Sequence, residues 1–127
     1  MTPAIQAAVT EIEQAFPGHR IELTPENQGG AYVIVHDLAI GEGYIPATTW
    51  AGFLITFQYP YADVYPHFVR PDIKRINNTN LPQGFSGPTI WNEFQAIQVS
   101  RRSNRWKPGI DTAATKLAKV LDWIRNV

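Results

Sequence analysis

The stretch that most constrains the fold covers residues 52–72, GFLITFQYPYADVYPHFVRPD. Phe53, Ile55 and Phe57 recur at every second position, which predicts a strand with one buried face. Three prolines then remove backbone donors and fix φ, so the pattern argues against a helix or a central strand there. These prolines are Pro60, Pro66 and Pro71. The accompanying aromatic residues favour an ordered, extended segment that packs on the domain, and a proline-rich surface loop is the alternative.

Composition narrows the function classes. A length of 127 residues predicts a single domain over residues 1–127, and a formal net charge of zero gives no global preference for an anionic partner. The chain has no cysteine, which excludes a disulfide framework, a thiolate nucleophile and a Cys-ligated metal. The N-terminal residues lack a secretory pattern and no apolar run reaches membrane-spanning length. We therefore expect a cytoplasmic protein that does not contact membranes.

The first half of the chain predicts one helix and an antiparallel meander. Thr2-Pro3 is typical of a helix start, and apolar residues then recur at helical spacing. Strand patterns follow at residues 19–24, 31–40 and 50–58, and the phase of the second strand changes near His36. That change of phase predicts a β-bulge.

The second half predicts a loop, a short element and a final helix. Residues 76–88 are rich in Asn, Gly, Ser and Pro, which indicates a long irregular connection. Residues 90–99 fit either a strand or a helical turn. Asp111 is a suitable N-cap for an amphipathic helix that reaches the C-terminus. Taken together, the elements predict an α+β domain.

A basic stretch precedes that last helix and supports two binding hypotheses. Arg101, Arg102 and Arg105 lie close in sequence to Trp106. They predict a partner-binding surface, with Trp106 anchored in the core. The alternative is a nucleic-acid-binding domain in which the loop 100–107 contacts phosphates and Trp106 stacks on a base. The neutral chain makes nucleic acid the less favoured partner.

The order of these parts resembles the ubiquitin-conjugating (E2, UBC) superfamily. In that family the third strand leads into a Phe-Pro and Tyr-Pro segment, and a Trp-x-Pro motif precedes a later helix. The corresponding residues here are Phe57, Tyr59, Pro60, Tyr65, Pro66, Trp106 and Pro108. The chain is most similar to bacterial E2-like proteins that are encoded beside ubiquitin-like proteins, E1-like enzymes and deubiquitinase-type peptidases.

The resemblance implies a UBC-like fold with an N-terminal helix, a strand meander, a long Pro/Asn-rich loop and a C-terminal helix. It implies a component of a bacterial ubiquitin-like conjugation pathway, with a role in antiphage defence. The implied partners are a ubiquitin-like protein, an E1-like enzyme and a deubiquitinase-type peptidase. No cofactor and no metal are implied, and the three histidines lack metal-ligand spacing.

The chain departs from the family at the catalytic residue. The family's cysteine position corresponds to the neighbourhood of Gln98, between Ala96 and Ser100, and no cysteine is present there. Without a thiolate the chain as written cannot accept a ubiquitin-like protein as a thioester. The family's His-Pro-Asn motif is also missing. Three asparagines lie in the corresponding region, but no His-Pro precedes any of them: Asn77, Asn78 and Asn80. We therefore assign the role of the motif's asparagine to none of them.

Three explanations of the missing cysteine remain open. The protein is a non-catalytic E2 variant that binds partners, or it uses the hydroxyl of Ser100 or Ser103, or a native cysteine has been replaced. The replaced positions would be Ala96, Ser100 or Ser86. A hydroxyl nucleophile needs a general base, and no histidine adjoins these serines in sequence. A triad of His67, Asp72 and Ser100 is a further arrangement that sequence alone permits.

Overall fold

The computed structural model describes residues 1–127 and contains two helices and eight strands. The elements are α1 (Pro3–Ala15), β1 (Ile21–Pro25), β2 (Ala31–Ala39), β3 (Tyr44–Ile45), β4 (Thr48–Ile55), β5 (His67–Val69), β6 (Lys74–Arg75), β7 (Phe85–Trp91), β8 (Phe94–Val99) and α2 (Ala113–Asn126). Six strands form one antiparallel sheet in the order β1-β2-β4-β5-β8-β7, and β3 pairs with β6 separately. The predicted α+β class is confirmed.

The main core lies between one face of the sheet and the two helices. Alternate residues of β2 and β4 face the helices, and Val33, Val35 and Phe53 are fully buried there. The helices contribute the buried side chains of Ile5, Ile12, Leu117, Val120, Leu121 and Ile124. Each fully buried aliphatic side chain contributes roughly 1.5–3 kcal/mol, so this layer supplies most of the apolar stabilisation. Neither helix has the length and apolar character that crossing a membrane requires.

The opposite face of the sheet carries a smaller aromatic cluster, formed by Ile34, Phe68, Trp91 and Ala96. The Trp91 ring stacks on Phe68 with 5.0 Å between ring centroids. It also covers Gly52 of β4, where a Cβ atom would collide with the indole. Gly52 is therefore required by the close approach of the ring rather than by backbone conformation.

The segment that contains Pro60, Pro66 and Pro71, which we call the proline segment (residues 59–72), differs from the sequence prediction in one important respect. β5, residues 67–69, is a central strand that pairs with both β4 and β8. The prediction that excluded a central strand was wrong because Pro66 and Pro71 flank the strand and do not interrupt it, so its backbone donors remain available. The preceding strand ends at Ile55, and Phe57 lies half-exposed in the turn that follows.

Two further boundaries are corrected in the second half. The predicted loop 76–88 ends at Phe85, where β7 begins, and β7 forms a hairpin with β8. Pro88 lies within this strand because β7 is an edge strand and its register shifts between Ser86 and Thr89. A comparable shift in β2, between Val35 and Leu38, confirms the predicted bulge.

The N-cap of α2 is Thr112, and the assignment of Asp111 was wrong. Thr112 Oγ1 accepts from the backbone N–H of Thr115 at 3.1 Å, and Thr115 Oγ1 accepts from the backbone N–H of Thr112 at 2.9 Å. This reciprocal pair is a capping box. The Asp111 carboxylate instead accepts from the backbone N–H of Lys107 at 2.7 Å, which closes the preceding turn. That hydrogen bond lowers the pKa of Asp111.

Candidate functional site

The candidate cysteine position lies on β8, on the sheet face that points away from the helices. Gln98 pairs with Ser86 across the β7–β8 hairpin, and its Nε2 donates to Ser100 Oγ at 3.0 Å. Ala96 lies on the same face and is completely buried in the aromatic cluster. A nucleophilic group at Ala96 would be covered, whereas Ser86 is exposed and Ser100 is half-buried. Ser100 has one side-chain hydrogen bond, from Gln98, and no carboxylate or imidazole is hydrogen-bonded to it.

Ser103 belongs to a different and more elaborate cluster. Its backbone N–H donates to Asp63 Oδ2 at 2.8 Å, and its hydroxyl donates to Asp63 Oδ1 at 3.1 Å. Lys116 Nζ donates to both carboxylate oxygens, at 2.9 and 3.0 Å, and to Ser103 Oγ at 2.7 Å. Lys116 is 5% exposed although it lies in α2, and we call these three residues the Asp63 network. A lysine nitrogen that donates to three oxygens has no free lone pair with which to accept the proton of Ser103.

Sequence analysis missed Asp63 and Lys116 as members of this cluster. Lys116 lies on the apolar face of α2 beside Leu117 and Val120, and all three side chains are buried. A lysine on the buried stripe of an amphipathic helix was the available signal, because such a residue is seldom buried without a partner. Asp63 gave no comparable signal, since the network depends on a contact across 53 residues of sequence.

His67 lies near the Asp63 network but makes no hydrogen bond. Neither ring nitrogen has a partner, and its side chain packs against Phe53 with 5.1 Å between ring centroids. Burial lowers the pKa of His67 to about 3, and the positive charge of Lys116 acts in the same direction. Asp72 binds Arg70 through both carboxylate oxygens, at 2.7 and 3.1 Å. His67 therefore makes no hydrogen bond to Asp72 or to any other group, and no triad with Asp72 and Ser100 forms.

The three predicted partner-binding arginines lie on the loop that follows β8, which we call the arginine loop (residues 101–105). The guanidinium carbon of Arg101 lies 4.6 Å from the ring centroid of Trp123, and that of Arg102 lies 4.9 Å from the centroid of Tyr65. No carboxylate lies within ion-pair distance of Arg101, Arg102 or Arg105. The aromatic contacts hold two guanidinium groups in place and leave their N–H donors free.

Trp106 joins the arginine loop to the proline segment. Its Nε1 donates to the carbonyl oxygen of Pro60 at 2.7 Å, and its partly buried ring packs against the main core and the edge of Tyr59. The Tyr59 hydroxyl in turn accepts from the backbone N–H of Ala113 at 3.1 Å. Burial raises the pKa of Tyr59. Tyr59-Pro60 and Trp106 therefore connect the proline segment, the arginine loop and the start of α2.

A cavity of about 260 Å³ lies between the arginine loop and α2, and we call it the arginine pocket. Its charged lining consists of Arg101, Arg102, Arg105, Lys116, Lys119 and Asp111. The asparagine-rich region lies elsewhere, between β6 and β7, where Asn77 Oδ1 accepts from the backbone N–H of Thr79 at 3.2 Å. No group of three or more His, Asp or Glu residues is arranged to hold a metal ion.

The family model described as prokaryotic E2 family E matches residues 10–127. The chain belongs to this family. Membership supports an E2-like role in a bacterial conjugation pathway, as the landmarks around Tyr59, Tyr65 and Trp106 led us to expect. No curated protein and no solved structure gives a significant match to this E2-like chain.

Proposed function

We propose that this E2-like protein, a single domain over residues 1–127, docks a ubiquitin-like protein, an E1-like enzyme or both without forming a thioester. The observation that carries the proposal is the contrast along residues 96–105. The candidate cysteine position has no thiol, and the arginine loop beside it presents three guanidinium groups without carboxylate partners. A partner surface rich in Asp and Glu fits those groups.

Hydroxyl catalysis has weaker support than docking. Ser100 lacks a base, and Ser103 is bound to a lysine that donates its hydrogen bonds. A nucleophilic serine needs an acceptor that can take its proton while the hydroxyl points toward the substrate. Asp63 does accept from Ser103, but the same carboxylate holds Lys116 and the loop backbone. We assign this network to positioning the arginine loop.

Calorimetry with bacterial ubiquitin-like and E1-like proteins, of the kind that the family resemblance implies as neighbours of this gene, tests the docking proposal. We expect saturable binding to at least one of them, with the Arg101→Glu, Arg105→Glu variant weakened by about tenfold or more because two charge-assisted contacts are reversed. Lys74→Glu is the matched control, since Lys74 is exposed on β6, away from the arginine pocket. Failure to bind either protein would refute the proposal.

A discharge assay tests the non-catalytic part. The wild-type chain is incubated with the E1-like enzyme, ATP and the ubiquitin-like protein, and adducts are separated with and without a reducing thiol. We expect no adduct from the wild type. A thiol-resistant adduct that disappears in Ser100→Ala or Ser103→Ala would show hydroxyl catalysis and would overturn this part. A cysteine in the natural gene at Ser86, Ala96 or Ser100 would also overturn it.

The pathway that we propose lies in the bacterial cytoplasm and contributes to antiphage defence, with a deubiquitinase-type peptidase as a further partner. A phage-plating assay with and without this gene tests the defence role.

The alternative function is nucleic-acid binding. The cationic loop would still contact phosphates, but Trp106 is not free to stack on a base, because it packs on the core and binds Pro60. Oligonucleotide binding that falls in Arg101→Ala, Arg102→Ala and declines steeply with salt would revive it.

A further inference from the structure

We propose that the arginine pocket binds a small phosphate monoester dianion. The same three arginines carry the docking proposal, but this inference concerns a cavity and a ligand that require no protein partner, so the two can be tested separately. The evidence comes from the charge of the lining, from the free donors of the arginine loop and from the dimensions of the cavity.

The charge of the pocket is strongly asymmetric. Five cationic side chains line it against the single carboxylate of Asp111, in a chain whose formal net charge is zero. Lys116 is paired with Asp63, and Asp111 Oδ1 lies 3.5 Å from Lys119 Nζ. The three guanidinium groups are left without a counter-charge from the protein. A concave surface of one sign raises the local concentration of a small ion of the opposite sign.

Two of the three guanidinium groups of this pocket rest on aromatic rings before any ligand binds. Trp123 supports Arg101 and Tyr65 supports Arg102, while Ser103, the next residue along the loop, is fixed to Asp63 through its backbone and side chain. Holding donors in place lowers the entropic cost of binding. Planar guanidinium groups match the oxygens of phosphate and carboxylate in paired hydrogen bonds. A phosphate monoester offers three terminal oxygens and a charge of about −2. It therefore matches three arginines better than a ligand with a single carboxylate, which offers two oxygens and a charge of −1.

The size and walls of the cavity limit what the phosphate can carry. About 260 Å³ accommodates a phosphate with a small organic group. The Trp123 ring already contacts Arg101, at 4.6 Å from the centroid, and Phe85, which stacks on it with 5.3 Å between centroids, so a base would compete with these contacts. The geometry therefore favours a compact phosphate ester over a ligand that is held by base stacking.

An NMR titration of the full chain at constant ionic strength provides the test. The probes are inorganic phosphate, glycerol phosphate, adenosine monophosphate and a short single-stranded oligonucleotide. We expect saturable shifts of the amide signals of residues 101–105 and of residues 116–123 with the first two probes, and no tighter binding of the nucleotide. Tighter binding of the nucleotide would refute the small-ester assignment, and shifts with the oligonucleotide alone would refute the monoester site.

Variants connect the response to the arginine loop. Arg105→Gln removes a guanidinium that makes no aromatic contact, and Arg101→Gln removes one that does. We expect each change to weaken phosphate binding by about tenfold, the loss typical of a charge-assisted hydrogen bond. Lys74→Gln should leave affinity unchanged. Non-saturable shifts in the wild type, or equal affinity in the wild type, Arg105→Gln and Lys74→Gln proteins, would overturn the proposal.

Discussion

The Asp63 network and His67 are two buried polar regions that lie close together and are treated in opposite ways. Every donor and acceptor of the network that we describe has a partner, including all three hydrogen bonds of Lys116 Nζ. His67 has none. The network joins the proline segment, the arginine loop and α2, whereas the imidazole fills space beside Phe53. The network therefore connects three segments by hydrogen bonds, whereas the buried imidazole makes the stability of the domain depend on pH.

Breaking the network should produce the largest effect. Asp63→Asn leaves the Lys116 charge buried opposite a neutral amide, and removal of one partner from a buried ion pair costs about 3–5 kcal/mol in the free energy of unfolding. Urea denaturation followed by circular dichroism measures the loss. Asp72→Asn is the matched control, because the Arg70–Asp72 pair is exposed and such pairs contribute about 0–1 kcal/mol. Equal losses in the two variants would contradict the distinction.

His67 should produce a smaller effect that depends on pH. Its folded-state pKa of about 3 lies below the ordinary histidine value of 6.5, so between these values the unfolded chain binds more protons. The stability that depends on a neutral His67 is fully present above pH 6.5 and is lost as the pH falls toward 3. At pH 4.5 we expect a loss of roughly 2–3 kcal/mol in the free energy of unfolding.

Urea midpoints between pH 7 and 4.5 measure this loss, in a range above the titration of most carboxylates. His67→Leu removes the titrating group and should flatten the profile over that range. If the wild type and His67→Leu lose stability in parallel, the acid sensitivity has another source and the assignment to His67 is wrong.

The smallest predicted effect concerns the contact between the arginine loop and Trp123 of α2. Arg101→Ala removes the cation–π contact with Trp123, which is worth about 0.5–1 kcal/mol at an exposed site. Thermal unfolding should show a decrease of that size in the free energy of unfolding, and the tryptophan emission should change. Arg20→Ala is a suitable control, since Arg20 is exposed on the other edge of the sheet and touches no tryptophan. A larger loss in the control would contradict this ranking.

The sequence predicted most of the elements because each depends on local chemistry. The periodicity of residues 53–57, the bulge near His36 and the aromatic Pro segments are visible within a few positions. Residues 67–69 were assigned wrongly because their pairing with β4 and β8 outweighs the local proline signal. Thr112 was missed for a similar reason, since Asp111 is an equally good cap by residue type and the turn at Lys107 uses its carboxylate.

The candidate site could be predicted only in part. The arginines and the absence of a thiol are visible in the sequence, but the cavity that the arginines line requires α2 to return to the loop. The hydrogen bonds of Ser103 depend on Asp63, which lies 40 residues earlier. Contacts at such separations are set by the packing of the whole domain, and a single sequence carries no direct record of them.

The two edges of the sheet have a consequence for how any partner can attach. β1 is a short edge strand that ends in Pro25, and β7 contains Pro88 at a shift in register. Proline and irregular register deprive an incoming strand of a continuous row of hydrogen bonds, a device that also limits aggregation. Strand addition at the edges is thereby disfavoured, and recognition of this domain must depend on its side chains.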